Sequence, residues 1–211
     1  WTQMGAKDYD PNDENQAAVL RLAALGLGCE FDGDHVPVYR GRDVKTTAIL
    51  TAVEENSGLY KLFTEFNRAL CTGDGEITAA AIIYEKVKLA VAVGSAETLL
   101  PHCDEPLLDA REAVVEMQKG AAEVIAVAVK KLHADPESEP DGFMAAGLIA
   151  VQNELSAGLP QYCEDLYENG IKPVILTAKT KTVTEAYGRL LGVLCADEKV
   201  AEADKANTSD P

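Results

Sequence analysis

Six stretches of this chain have the residue spacing of amphipathic helices, most of them about 25 to 30 residues long. Apolar side chains recur every three or four residues within them, and short segments rich in Gly, Pro and Asp separate them. Short links make consecutive long helices run antiparallel. The pattern therefore predicts an all-α fold: an elongated antiparallel bundle of long helices, supported by disulfides and preceded by a short non-helical segment.

The predicted helices cover residues 13–27, 42–70, 76–100, 106–134, 141–168 and 173–203. The fourth carries Leu108, Val115, Ala122 and Val129 at seven-residue intervals, as a bundle seam does. The fifth has the most regular apolar stripe, and Pro160 inside it predicts a kink. We expect a single elongated domain over residues 1–205, with residues 206–211 beginning a flexible linker.

The composition is acidic and poor in aromatic residues. The formal net charge is −16 at pH 7, which disfavours binding to nucleic acid or to anionic lipid. We interpret this charge as a solubilising surface rather than as an acidic recognition site. Hydrophobic residues make up 47% of the chain but aromatic residues only 6%, so the core must consist of many small Ala, Val and Leu contacts.

Five cysteines lie far apart, without the paired spacing of a zinc site. In an up-and-down bundle, Cys71 and Cys195 come to one pole, and Cys29, Cys103 and Cys163 come to the other. This placement predicts one disulfide between Cys71 and Cys195 and a second within the other three, as in a secreted protein. The alternative is five reduced thiols, as in a cytosolic protein.

No pattern of residues predicts catalysis, a metal site or a cofactor. The run from His102 to Glu105 contains ligand types, but adjacent residues do not converge on one ion. His35 falls in a loop, and His133 in a last helical turn is explained as a favourable cation there. Paired carboxylates such as Glu112 and Glu116 lack the Glu-x-x-His motif of di-metal bundles, so we interpret them as a solvated helix face.

Stretches rich in Ala and Glu recur along the whole chain, among them Ala110-Arg-Glu-Ala-Val-Val-Glu116, Ala121-Ala-Glu-Val-Ile-Ala-Val-Ala128 and the tail Ala196-Asp-Glu-Lys-Val-Ala-Glu-Ala-Asp204. In these stretches the chain resembles surface proteins of African trypanosomes, in particular the glutamic acid/alanine-rich coat protein of the insect stage. The resemblance implies an elongated helical bundle related to variant surface glycoproteins and to haemoglobin receptors. It carries over no catalytic residues.

The same resemblance implies a location on the extracellular face of the plasma membrane. It also implies a glycosylphosphatidylinositol anchor attached beyond a C-terminal linker, although the chain stops before any hydrophobic anchor signal. Asn207, followed by Thr and Ser, fits the N-glycosylation pattern and is a candidate site if the protein is secreted.

These observations lead to two non-enzymatic hypotheses. The first is an abundant coat protein and surface antigen that shields the membrane and presents its distal pole. The alternative is a cell-surface receptor for a host or vector protein such as haemoglobin, which requires an exposed apolar patch, for instance near Pro160 or Gly58. An enzyme or small-ligand carrier would need a polar cavity, which the apolar seams disfavour.

Overall fold

A computed structural model describes Asp10 and residues 12–27, 30–31, 37–38, 44–55, 69–72, 77–84, 87–104, 108–132, 142–152, 155–195 and 197–201. The helices are α1 (Glu14–Gly26), α2 (Val44–Glu55), α3 (Ala96–Leu99), α4 (Leu108–Lys119), α5 (Leu159–Glu168) and α6 (Lys181–Leu190), with one 3-10 turn at Leu100–His102. The strands are β1 (Glu30–Phe31), β2 (Pro37–Val38), β3 (Ala69–Thr72), β4 (Ile77–Tyr84), β5 (Val87–Ser95), β6 (Glu123–Lys131) and β7 (Met144–Val151).

The predicted all-α bundle is wrong, because the protein is mixed α/β. Strands β3 to β7 form one sheet in the order β3-β4-β5-β6-β7, and β1 pairs with β2 in a separate antiparallel ribbon. The pairs β3–β4, β4–β5 and β5–β6 are all antiparallel. Most of the long helices expected from the sequence are therefore shorter helices, strands or both.

The helix predicted over residues 76–100 is instead the hairpin of β4 and β5, followed by the short α3. Its register runs from Ile77 opposite Gly94 to Tyr84 opposite Val87. Val91 and Val93 lie two residues apart in β5 and both belong to the hydrophobic core. β-Branched side chains at alternate positions fit a pleated strand better than a helix, where they lose rotamer freedom.

The helix predicted over residues 106–134 divides into α4 and β6. α4 ends at Lys119, and Ala121 has a positive φ of 62°, a conformation that a helix does not continue through. All five residues from 124 to 128 are buried. Such a strand, buried on both faces, has a nearly continuous apolar sequence, which the predicted helix over residues 106–134 included.

The last two predicted helices are also longer than the helices in the structure. Residues 141–168 contain β7 and α5, and Pro160 lies in the first turn of α5, where its fixed φ suits a helix start instead of kinking one. Within residues 173–195 and 197–201, the described part of the last predicted helix, the only helix is the ten-residue α6. The predicted helix over 42–70 corresponds to α2 and to β3, with residues 56–68 outside the described part of the chain.

The chain divides into two compact units. Unit 1 comprises Trp1–Val114 and Val124–Val151, and unit 2 comprises Val115–Glu123 and Gln152–Pro211. The expectation of one domain over residues 1–205, with a linker at 206–211, stays a prediction.

The first helix is confirmed, and it covers the sheet of unit 1. Asp13 caps α1 by accepting hydrogen bonds from the backbone amides of Asn15 and Gln16, at 2.9 and 3.3 Å. α1 packs against β4, β5 and β7. Residues from α1, α2, β4, β5 and β6 form the core: Ala17, Val19, Leu20, Ala23, Ala24, Leu25, Ile49, Val53, Ala80, Val91, Val93, Ile125 and Val127.

Two glycines permit the close approach of α1 to the sheet. A Cβ atom placed on Gly147 of β7 would lie 2.5 Å from Cγ2 and 2.8 Å from Cγ1 of Val19. A Cβ atom on Gly26, the last residue of α1, would lie 2.5 Å from Cγ2 of Val93. Neither contact is compatible with a larger side chain unless the helix moves away from the strands.

We expect Gly147→Ala to destabilise the protein by about 1–3 kcal/mol, because the added methyl group overlaps the branched side chain of Val19. Gly158→Ala is the matched control, since a Cβ atom there meets nothing within 4 Å. Its effect on the free energy of unfolding should stay below about 1 kcal/mol, because Gly158 is the N-cap of α5, where alanine is a poorer cap than glycine. Urea denaturation followed by circular dichroism measures both, and equal effects at the two positions would contradict the described helix–sheet contact.

Substitution of Ala121 should separate backbone strain from side-chain size. Ala121 is fully buried and has φ 62°. Ala121→Val places a β-branched residue in the left-handed region and overfills the site, so we expect a loss of about 2 kcal/mol or more. Ala121→Gly relieves the strain but loses a buried methyl group worth about 0.8 kcal/mol, so it should remain within about 1 kcal/mol of the wild type. Similar stabilities for the two variants would show that α4 ends differently.

Candidate interaction surface

Exposed apolar side chains are concentrated in unit 2. In the described part of the chain nine large hydrophobic residues are exposed, and all except Met144 belong to this unit: Val115, Leu159, Tyr162, Tyr167, Ile171, Val174, Leu176 and Leu190. The most exposed are Leu176 at 93% and Val174 at 74%. Scattered single hydrophobic residues are normal on a protein surface, but a concentration of them typically marks an interaction site.

The most exposed of these residues follow the C-terminal end of α5. The amide of Ile171 donates to the carbonyl of Leu166 at 2.9 Å, and the amide of Gly170 donates to the carbonyl of Tyr167 at 2.9 Å. Gly170 has φ 75°, a conformation that glycine adopts without strain. These two bonds form a Schellman motif, which ends the helix and directs the chain away from it at Ile171.

The end of α6 repeats the motif. The amide of Val193 donates to the carbonyl of Gly188 at 2.9 Å, and the amide of Gly192 donates to the carbonyl of Arg189 at 3.1 Å. The hydroxyl of Tyr167, in α5, donates to the carbonyl of Val193 at 3.2 Å. This hydrogen bond joins the C-terminal ends of the two helices of unit 2.

The linking segment, residues 171–177, lies between the two helices. It runs without helix, strand, turn or bend. Along it Val174 and Leu176 are exposed while Ile175 between them is half-buried, which is the alternation of a strand with one covered face. Its sequence, Ile-Lys-Pro-Val-Ile-Leu-Thr, is rich in β-branched and apolar residues.

The backbone of the linking segment has few partners. Apart from the amide of Ile171, no backbone group in residues 171–178 takes part in a backbone–backbone hydrogen bond with any other described residue. Exposed backbone groups of this kind bond to water or to another strand. The segment therefore combines strand-forming side chains with backbone groups that pair with none of the described strands.

The start of α6 anchors the other end of the segment. The amide of Lys179 donates to the hydroxyl of Thr177 at 3.1 Å, and the hydroxyl of Thr184 donates to the carbonyl of Thr180 at 2.8 Å. The Lys179 ammonium forms a half-buried ion pair with Glu123 and lies 5.9 Å from the centre of the Tyr187 ring. The segment is thus held at both ends by contacts within unit 2.

The charge of this region is opposite to that of the chain. From residue 170 to residue 184 there is no Asp or Glu, whereas Lys172, Lys179 and Lys181 all fall in this window. Lys172 and Lys181 are exposed. In a protein with a formal net charge of −16, the linking segment therefore has an exposed lysine, Lys172, at its start and another, Lys181, shortly after its end.

The predicted disulfides are wrong. Cys103, Cys163 and Cys195 are free thiols. The Cys71–Cys195 pair is therefore excluded, and so is every pair within the predicted trio, because each such pair includes Cys103 or Cys163. The prediction depended on helices that run from pole to pole, whereas Cys71 lies in β3 and Cys163 is buried in α5.

Cys103 follows the 3-10 turn, and its backbone bridges to Phe143. Its thiol lies 3.6 Å from the carbonyl oxygen of Leu99. Burial raises the pKa of the Cys103 thiol above its ordinary value, and the neighbouring carboxylate of Asp104 raises this pKa further. A raised pKa keeps the thiol protonated at neutral pH, which makes Cys103 a weak nucleophile.

Several candidate positions lie outside the described residues: Cys29, His35, Gly58, His133 and Asn207. Within the described ranges, no group of three or more His, Cys, Asp or Glu side chains is arranged to hold a metal ion. None of the helices in the described ranges is long and apolar enough to cross a membrane.

Comparison with protein-family models and with curated proteins finds no match to this chain. The resemblance to trypanosome surface proteins therefore stays a prediction from the sequence.

The receptor hypothesis requires an exposed apolar patch, and part of the surface described above lies at one of the two positions suggested for it. Pro160 was one expected location for an apolar patch, and Leu159 and Tyr162 beside it are exposed. The linking segment was missed because it was assigned to a helix starting near Pro173. Its signal was available: β-branched residues beside a proline, directly after the Asn-Gly that ends the preceding helix, are typical of a strand.

The three free thiols should differ in their rates of alkylation. We expect N-ethylmaleimide at pH 7 to modify exposed Cys195 first, Cys103 more slowly because its raised pKa leaves little thiolate, and buried Cys163 only after unfolding. Peptide mass spectrometry after timed quenching gives each rate. Recovery of Cys195 in a disulfide from protein purified without reductant would contradict the structure.

Proposed function

We propose that this protein is a non-enzymatic binding module that recognises another protein through the apolar surface of unit 2. The observation that carries the proposal is the uneven distribution of exposed large hydrophobic side chains among the described residues, eight of which lie in unit 2 and one in unit 1. Exposed apolar groups cost free energy in water, and their burial by a partner recovers about 25 cal/mol per Å². A chain with such a surface gains stability from association.

The receptor hypothesis from the sequence requires an apolar patch of this kind, and this surface supports it. The coat-protein hypothesis took its argument from a rod-like bundle, so the mixed α/β fold removes that argument. The cell-surface location and the lipid anchor stay predictions. The identity of the partner class is argued below from the linking segment.

The proposal is tested by site-specific crosslinking. A photoreactive residue replaces Leu176 in one variant and Met144 in the other, because both side chains are apolar and exposed but only Leu176 lies in unit 2. We expect a discrete crosslinked species from cells or extracellular fluid with the probe at residue 176 and none at residue 144. Equal crosslinking at both positions would indicate nonspecific adhesion and contradict the proposal.

A competition experiment provides the quantitative control. Unlabelled wild-type protein should suppress the crosslink. Equal suppression by a Val174→Lys/Leu176→Lys double variant should require at least a tenfold higher concentration of that variant. Met144→Lys makes the same chemical change in unit 1 and should compete like the wild type. Because all three positions are exposed, the free energy of unfolding should change by no more than about 0.5 kcal/mol in either variant.

A further inference from the structure

We infer that residues 172–177 bind an extended strand of a partner protein, one with apolar side chains at alternate positions and acidic residues at its ends. This inference rests on the proposed function and specifies the mode of binding. A helix or a flat apolar surface would bury Val174 and Leu176 but would leave the backbone groups of the segment without partners. An added strand buries these side chains and also pairs with the backbone groups, because main-chain hydrogen bonds provide affinity and alternate side chains provide contact.

The position of Pro173 selects the edge that the strand adds to. In an extended chain the N–H and C=O of one residue point to the same side, and successive residues alternate. Pro173 has no N–H, so the edge shared by Pro173, Ile175 and Thr177 lacks one donor. The edge shared by Val174 and Leu176 has a complete set of donors and acceptors, and the added strand pairs there.

The charge of the residues around the segment indicates which side chains the partner strand carries at its ends. Lys172 lies at the start of the segment, Lys181 follows it in the first turn of α6, both are exposed, and no Asp or Glu occurs from residue 170 to residue 184. We therefore expect these lysines to attract acidic residues at the ends of the added strand, over a range set by a Debye length of about 10 Å. A second copy of this chain fits poorly, since it would set lysines against lysines between two molecules of charge −16.

The test uses capped peptides of alternating Val and Thr, with Glu at both ends in one and Lys at both ends in the other. We expect the acidic peptide to bind the full chain about tenfold more tightly at low salt, and the difference to shrink at 0.5 M NaCl. Hydrogen exchange with the acidic peptide bound should slow at least tenfold at the amides of Val174 and Leu176, and not at those of Ile175 and Thr177. Equal binding of the two peptides, or absence of this alternation, would overturn the inference.

Variants at Leu176 separate strand pairing from side-chain docking. Leu176→Pro removes a donor from the proposed edge, whereas Leu176→Ala removes the apolar side chain and keeps that donor. We expect the acidic peptide to lose at least tenfold in affinity with Pro and about threefold with Ala. Equal losses would overturn strand addition while leaving the proposed function standing, because side-chain docking alone would then explain binding.

Two further measurements exclude other occupants. Sedimentation of the wild type and of Leu176→Pro should show the same monomer, and a dimer lost in the variant would identify a second copy as the occupant and overturn the inference. Co-sedimentation with vesicles of neutral and anionic phospholipid should leave the protein in the supernatant. Vesicle binding that Leu176→Lys abolishes would assign the surface to a membrane and likewise overturn it.

Discussion

The fold of unit 1 depends on how closely one helix can lie on one sheet. Gly26 in α1 and Gly147 in β7 remove the side chains that would hold helix and strands apart, and the alanines of α1 keep its buried face small. Dispersion forces fall steeply with distance, so a chain with few aromatic residues gains most when its backbones approach closely. Glycine at two contact points and alanine on the buried face of α1 thus let its helix lie close to the Val, Leu and Ile side chains of this core.

The same small residues explain why the sequence was misinterpreted. Residues four positions apart lie on one face of a helix and also on one face of a strand. Val87 and Val91, or Ile125 and Val129, therefore satisfy both patterns, and intervening alanines fit both as well. Alanine has high helix propensity, but in β4, β5 and β6 the β-branched residues between the alanines and the pairing of neighbouring strands outweigh it.

Where local chemistry is specific, helix boundaries agree with the predicted ranges. The helix predicted over residues 13–27 begins at the Asp13 cap of α1, and the helix predicted to end at residue 168 ends there as α5, just before Asn169 and Gly170. Both signals act within one helical turn and need no tertiary contact. The predicted disulfides depended on where distant elements meet, and the assignment of strand residues to helices placed the cysteines incorrectly. The sequence of residues 171–177 is typical of a strand. That none of the described strands pairs with them is visible only in the structure.

The contacts that hold the two ends of the linking segment have a consequence for recognition. Because the hydrogen bond from Ile171 to Leu166 and the ion pair between Lys179 and Glu123 tether both flanks of the linking segment, part of its conformational freedom is lost when the protein folds. Ordering a free chain costs about 1–2 kcal/mol per residue. A segment that is already ordered before binding avoids most of that cost when the partner strand binds. A shorter partner strand can then provide the same affinity.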